Sequence, residues 1–312
     1  MRKNALAGVG NTPLIQLQKI VPEDSANIYL KLEWANPTGS MKDRMAVAAI
    51  EGAEKEGKIS PGDTVVEYTA GTTGVSLAFA CAVKGYKFLA VFSDAFSVEK
   101  RRTMEAFGAT VQDVLSDNKK ITEKLIKEMI ETSKRISEQP GYWWCDQLNN
   151  YPAATGYYPM GEEIWKQTDG TIDAFVHTVG TAHSIHAVTE VLWKRNKDIH
   201  IIAIEPVESA VLSGQPTGSH KIEGIGIGFI PPMWQNELVN EIMQVSTQDA
   251  QNMARRLAKE EGVFAGTSTG ANVVASLRIA ERLGKGKNVV TIAVDSGLRY
   301  LSTSLYKAEG PN

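Results

Sequence analysis

Short runs of β-branched and other apolar residues alternate along this chain with longer stretches whose apolar positions recur every three to four residues. The first pattern predicts strands at 28–34, 64–69, 88–92, 110–115, 174–178, 200–205, 242–245 and 289–294. The second predicts helices at 42–56, 74–84, 97–107, 119–137, 153–168, 185–195, 247–261 and 270–284. Gly57, Gly85, Gly108, Gly262 and Gly284 follow five of these helices, where a helix end favours a residue that tolerates positive φ. Apolar strands separated by helices belong to mostly parallel sheets with both faces covered. The predicted class is therefore α/β, with two open, mostly parallel sheets and helices on both faces; two sheets suit 312 residues better than one. The charged stretch 119–135 carries an Ile/Leu/Met stripe and predicts a solvated amphipathic helix.

Composition narrows the function classes. The chain is 43% hydrophobic and 22% charged with a formal net charge of −3, which excludes a highly charged disordered polymer. There is no basic excess for nucleic acid, and the interspersed charges offer nothing to a membrane surface. Two cysteines, Cys81 and Cys145, make neither a disulfide framework nor a four-ligand zinc site. The longest strongly apolar stretch, 75–83, falls far short of the ~20 residues that span a bilayer. Met1-Arg2-Lys3-Asn4 leads into no apolar signal core. A cytoplasmic protein with no nucleic-acid or membrane partner is expected.

Chemistry in parallel α/β folds sits where strands hand over to helices. Three such loops are rich in glycine and hydroxyls: Thr69-Ala70-Gly71-Thr72-Thr73-Gly74, Gly180-Thr181-Ala182-His183-Ser184 and Ala265-Gly266-Thr267-Ser268-Thr269-Gly270. Glycine lets a ligand approach the backbone, and the free N–H groups of a helix start attract anions. Either one loop holds a phosphate and another a carboxylate, or all three are ordinary capped turns. No Walker A loop occurs, and no Gly-x-Gly-x-x-Gly opens a helix after the first strand. In Asn36-Pro37-Thr38-Gly39-Ser40-Met41-Lys42-Asp43-Arg44, Ser40 is the expected N-cap, with Asp43 completing a capping box. Lys42 then falls in the first helical turn, where a cation opposes the macrodipole. A desolvated lysine there has a lowered pKa and can form a Schiff base; the alternative is a surface lysine that reaches water. His183 and His186, with His177 nearby, lack an evident third and fourth metal ligand, so no metal site is expected.

These segments together resemble the fold-type II pyridoxal-phosphate enzymes, in the cysteine synthase and cystathionine β-synthase branch (a tryptophan synthase β-like fold). The resemblance covers nearly the whole chain: Asn11-Thr12-Pro13-Leu14, the 36–44 segment, Gln147-Leu148 with Asn150, Pro206 to Ser213, then His220 to Gly226 with Gly228 to Pro232, and Asp295-Ser296-Gly297-Leu298-Arg299-Tyr300-Leu301-Ser302-Thr303. It implies a pyridoxal 5'-phosphate cofactor held by Lys42, which also serves as acid and base at the substrate's α-carbon. Gly180, Thr181, Ala182, His183 and Ser184 would form the phosphate cup, and Ser268 would face the pyridine nitrogen. Thr69, Ala70, Gly71 and Thr73, with Gln147, would grip the carboxylate of an amino-acid substrate, and Thr72 would contact the cofactor ring. The resemblance further implies a homodimer, and a smaller domain at 38–148 that closes on a larger one made of 1–37 and 149–312.

Departures from the family pattern bear on substrate. Ala70 stands for the family's serine, Thr72 for its asparagine, and Ala182-His183 for two glycines of the cup. An imidazole at 183 would either crowd a phosphate or add a charge-assisted donor. The function implied is β-replacement on an L-serine derivative through an aminoacrylate, with O-acetylserine and sulfide or another nucleophile. Net β-elimination, as in cysteine desulfhydration, and a paralogue that binds without turnover are the alternatives.

Overall fold

A computed structural model describes residues 4–307; Met1 to Lys3 of the N-terminal stretch discussed above lie outside it. In chain order the strands are β1 (Leu14–Gln16), β2 (Asn27–Leu32), β3 (Thr64–Tyr68), β4 (Lys87–Phe92), β5 (Thr110–Asp113), β6 (Tyr142–Trp144), β7 (Ala174–Thr178), β8 (His200–Pro206), β9 (Glu241–Val245) and β10 (Asn288–Ala293). The α-helices are α1 (Lys42–Lys55), α2 (Thr72–Lys84), α3 (Val98–Ala106), α4 (Glu123–Ser137), α5 (Tyr151–Thr155), α6 (Tyr158–Gln167), α7 (His183–Arg195), α8 (Thr247–Arg256) and α9 (Thr267–Leu283). They form a six-stranded sheet, ordered β1-β2-β10-β7-β8-β9, and a four-stranded sheet, ordered β5-β4-β3-β6. Among the described strands only β1 runs antiparallel to its neighbour. The α/β class with two mostly parallel sheets is therefore what the chain adopts.

Period-two alternation explains why the larger sheet is buried on both faces. In β7, Phe175 packs into one core, while Ala174 and Val176 pack into the other. Ile201 against Ile202 in β8, and Val290 against Val289 in β10, repeat the division. The first of these cores runs on without interruption into the smaller sheet, through Val65, Val66, Val91 and the inner face of α1.

Several elements differ from expectation for local reasons. β1 and β6, three residues each, are too short to display a period. The helix expected at 153–168 is two helices, because Pro159 cannot donate the backbone hydrogen bond that would continue α5. At their junction Gly156 packs so closely on α1 that a Cβ there would overlap the Arg44 carbonyl. The α8 helix ends in a π turn over Leu257–Glu261, closed by Gly262 at φ +70°.

One buried charge network fixes α1 to the larger sheet. The Arg44 guanidinium donates to both Glu33 oxygens (2.7 and 2.8 Å) and to both Glu163 oxygens (2.8 Å each). Lys31 Nζ reaches Glu163 at 2.7 Å, the Thr12 carbonyl at 2.7 Å and Gln167 at 2.8 Å. Two cations thus balance two anions, and the hydrogen bonds offset the desolvation of all four. Burial alone would raise the Glu163 pKa, but hydrogen bonds and charge from Arg44, then Lys31, hold it down to about 2. Glu163→Gln should cost about 3 kcal/mol in urea denaturation, because it leaves buried positive charge uncompensated. Its depressed pKa contributes stability present above the ordinary 4.5 and lost as pH falls toward 2. The wild-type protein should therefore lose stability over that window that the variant does not lose.

Candidate functional site

The segment before α1 is stitched to the segment after β10. Met41 N–H donates to the Val294 carbonyl (3.0 Å) and Ser296 N–H to the Gly39 carbonyl (2.9 Å). Arg299 Nη2 donates to the Thr38 carbonyl at 2.5 Å. Ser40 Oγ accepts from Lys42 N–H (3.2 Å), but the N-cap of α1 is Met41, one residue later than expected, and no side chain caps the helix. Asp43 does not complete a capping box: its carboxylate accepts instead from Thr38 N–H (2.7 Å) and Thr38 Oγ1 (2.5 Å). Lys42 becomes the first residue of α1 and faces a cleft rather than bulk water. Desolvation lowers its pKa to about 8, with the charge of Asp295 opposing the shift.

Two adjoining cavities share Lys42. The inner one, about 410 Å³, is lined by His177, Thr178, Gly180, Thr181, Ser184 and Ser268, among others. The outer one, about 710 Å³, is lined by Thr69, Ala70, Thr72, Thr73 and Gln147 on one side. All three glycine-hydroxyl loops open helices here, two to three residues earlier than their apolar periodicity predicts: α2 at Thr72, α7 at His183 and α9 at Thr267. The first turns of α2 and α7 leave backbone donors unused. Among the described residues, the N–H groups of Ala70, Thr72 and Thr73, and of Gly180 through Ser184, have no protein acceptor.

Each loop is held from behind. Thr69 Oγ1 accepts from Gly71 N–H (2.8 Å) and Gly74 N–H (2.9 Å). Thr73 Oγ1 donates to Gln147 Oε1 (2.8 Å), and Gln147 Nε2 donates to the Tyr68 carbonyl (2.8 Å). Behind the inner cavity, Asn272 Nδ2 lies 3.4 Å from His177 Nδ1, so the neutral ring carries its proton on Nε2 and donates to Ser184 Oγ at 2.9 Å. Burial, then the Lys42 charge, keeps His177 neutral by lowering its pKa to about 3. Ser184 is thereby left free to donate its hydroxyl proton into the cavity. The Gly224 carbonyl closes over Gly180, whose added Cβ would lie 2.5 Å from it.

Most of the residues singled out from sequence meet here. Lys42, Thr72, Gly180 and Thr181 line both cavities, Ser184 and Ser268 the inner one, and Thr69, Ala70, Thr73 and Gln147 the outer one. Gly71 lines neither; Lys100 packs against its backbone where a side chain would stand. Ala182 and His183 also line neither cavity. The imidazole expected to crowd or bind a phosphate is 2% exposed, has no partner at Nε2, and is kept neutral by burial, at about 3, with Lys42 and His186 adding to the shift. What position 183 presents to the cup is its backbone N–H. Sequence reasoning named His177 only as an unsupported metal ligand and Asp295 only within the 295–303 segment, and gave neither a role in the site. Asp295 is buried, with Oδ2 held by Tyr300 (2.7 Å) and reached by Thr72 Oγ1 (3.4 Å), and with Oδ1 unpartnered.

The donor set suits pyridoxal phosphate. Unused amides, a free serine hydroxyl and a cup too tight for a side chain at 180 fit a phosphate. A lysine with a lowered pKa fits an aldehyde. Ala182 sits at φ +68°, a left-handed conformation that costs a non-glycine residue about 1–2 kcal/mol. Ala182→Gly should therefore stabilise the protein, or leave it unchanged, by up to about 1 kcal/mol in chemical denaturation, after glycine's own entropy cost. Gly180→Ala should destabilise it, because the Gly224 loop must move.

Comparison with known proteins agrees with this geometry. A family model described as pyridoxal-phosphate dependent enzyme matches residues 5–295. A cysteine synthase of Staphylococcus aureus is 45% identical over 301 residues, spanning 96% of this chain and 95% of that protein. O-Acetyl serine sulfhydrylase isoform 3 of Entamoeba histolytica superimposes with a TM-score of 0.91 at 38% identity, covering 100% of this chain and 94% of the other. A hydrogen sulfide-producing enzyme of Fusobacterium nucleatum gives 0.89 at 34% identity, with 96% and 100% covered. The chain belongs to the pyridoxal-phosphate-dependent enzymes and is an enzyme of cysteine synthase type.

Proposed function

We propose that this enzyme exchanges the β-substituent of an L-serine derivative, O-acetyl-L-serine being the first choice, for sulfide or another nucleophile. The observation that carries this is Lys42 at the junction of two cavities, one with donors for a phosphate and one with donors for a carboxylate. When bound, the cofactor's ring withdraws electrons and stabilises negative charge at the substrate's α-carbon. Lys42, with a pKa near 8, can both take and return a proton at that carbon near neutral pH. The free amides of Ala70, Thr72 and Thr73 hold the carboxylate, and α2's N-terminus favours its charge. Gly180 to Ser184 would hold the cofactor's phosphate. Ser268 would hold its pyridine nitrogen through a neutral hydroxyl, which would leave that nitrogen unprotonated and suit loss of a β-substituent.

Net β-elimination is the second reading, favoured by the resemblance to a hydrogen sulfide-producing enzyme. Binding without turnover is the weaker alternative, because Lys42 and Ser268 both face the inner cavity. Residues 38–148, which carry the whole four-stranded sheet, act in this proposal as the smaller unit, with 1–37 and 149–312 as the larger. A homodimer in the cytoplasm belongs to the same proposal; no described helix is long and apolar enough to cross a membrane.

Lys42→Ala should abolish the visible absorbance of the cofactor-loaded protein and lower turnover by about 10³-fold or more. Retained activity would sink the mechanism. S-Substituted or free cysteine formed from O-acetyl-L-serine only when a thiol or sulfide is present would establish replacement; pyruvate formed regardless would establish elimination. Ala70→Ser combined with Thr72→Asn should raise kcat/KM on O-acetyl-L-serine if these two positions tune substrate choice, and an unchanged value would move that tuning elsewhere.

A further inference from the structure

We infer that the nucleophile this site accepts is an organic thiol with an apolar substituent, an inference that rests on the β-replacement reading and specifies its second substrate. The outer cavity has an apolar wall opposite in character to its carboxylate loop. Tyr68, Phe96, Ile126 and Ile222 are 5, 7, 6 and 1% exposed, and Ile121 and Ile227 are partly buried beside them. They come from the end of β3, the turn after β4, the start of α4 and the loop after β8. Four separate segments thus contribute hydrocarbon to one surface, within a space of about 710 Å³.

Most polar side chains of the same cavity are already engaged. Thr69, Thr73 and Gln147 bond one another and the loop backbone. Ile222 N–H donates to His220 Nδ1 (3.2 Å), so the ring carries its proton on Nε2 and donates to the Gly226 carbonyl at 2.8 Å. Glu223 is ion-paired with Lys100, a lysine that also lies 4.6 Å over the Tyr300 ring. Lys42 and the unused loop amides belong to the amino-acid substrate, which leaves the hydroxyls of Tyr68 and Thr181 as the lining's unpartnered side-chain groups among the described residues. A charged nucleophile would lose its water here with only two neutral hydroxyls to replace it. A hydrocarbon substituent would gain by leaving water for the wall. In the exchange, the Cβ–O bond breaks and its electron pair leaves on acetate. The thiol sulfur supplies the pair for the new Cβ–S bond, the thiol proton goes to acetate or solvent, and the proton taken from Cα is returned there.

The test uses the cofactor-loaded enzyme with O-acetyl-L-serine and three nucleophiles: phenylmethanethiol, 2-mercaptoethanol and sulfide. Phenylmethanethiol should exceed 2-mercaptoethanol by about tenfold in kcat/KM, and Ile227→Thr or Ile126→Thr should reduce that ratio by about fivefold. In calorimetry, S-benzyl-L-cysteine should bind about tenfold more tightly than S-methyl-L-cysteine, a readout independent of turnover. Equal or reversed preferences, with sulfide and 2-mercaptoethanol turned over, overturn this inference and leave β-replacement standing. Product from none of the three nucleophiles overturns the β-replacement reading itself.

Discussion

A lysine at the first position of a helix, turned away from bulk water, sits where both the macrodipole and desolvation oppose its charge. Its backbone must therefore be fixed by contacts stronger than the tendency of that amine to reach solvent. Here the fixing begins two residues later, at Arg44, whose guanidinium is shared between Glu33 beside β2 and Glu163 in α6. Because Lys31 and Glu33 flank the end of β2, and β2 pairs with β10 in register, the same network also sets where Val294 and Asp295 emerge. The strand that carries Asp295 and the helix that begins with Lys42 are thus positioned by one charge cluster, and the Met41 and Ser296 backbone bonds close the remaining gap.

Given that frame, the anion-binding capacity of the site follows from helix starts rather than from basic side chains. The two cavities have Lys42 as their only unpaired lysine or arginine among the lining residues named for them. In the proposed reaction, phosphate and carboxylate would be served by N–H groups that helices leave unused, which carry no side-chain entropy cost and cannot swing away. Side chains do secondary work: Thr69 and Gln147 keep one loop open, and His177 orients Ser184 in the other.

This division explains what was legible in the amino-acid sequence. Buried parallel strands carry continuous apolar runs, so β3, β4, β7, β8 and β10 are visible within a residue or two at either end. Loops that open helices are visible from glycine and hydroxyl content, so Lys42, Gly180, Thr181 and Ser268 could be named before any coordinates. Two kinds of feature were hidden. Three-residue strands such as β6 have no period and are recruited by their neighbours. Side-chain direction at a helix start depends on backbone angles that composition does not encode: Ala182 in the left-handed region delivers the His183 imidazole into the core, where a sequence reader places it in the cup. His177 was hidden for the opposite reason, since a histidine inside Ala174–Thr178 looks like a core residue and only the Asn272 and Ser184 contacts reveal what it orients.

The altered positions of the carboxylate loop gain meaning from the same division. Ala70 and Thr72 replace side chains, while the amide donors at those positions belong to the backbone and persist whatever the side chain is. Loop geometry depends on Thr69 and on the Thr73–Gln147 pair, and those residues stand as the family has them. A change at 70 or 72 can therefore leave the grip on an amino acid's carboxylate intact while changing what lies over the rest of the substrate. Ala70 leaves a methyl group in the lining of the outer cavity, and Thr72 turns its hydroxyl toward Asp295. Backbone donors that persist under altered side chains fit the proposed reaction, in which the grip on the amino acid stays and the nucleophile differs.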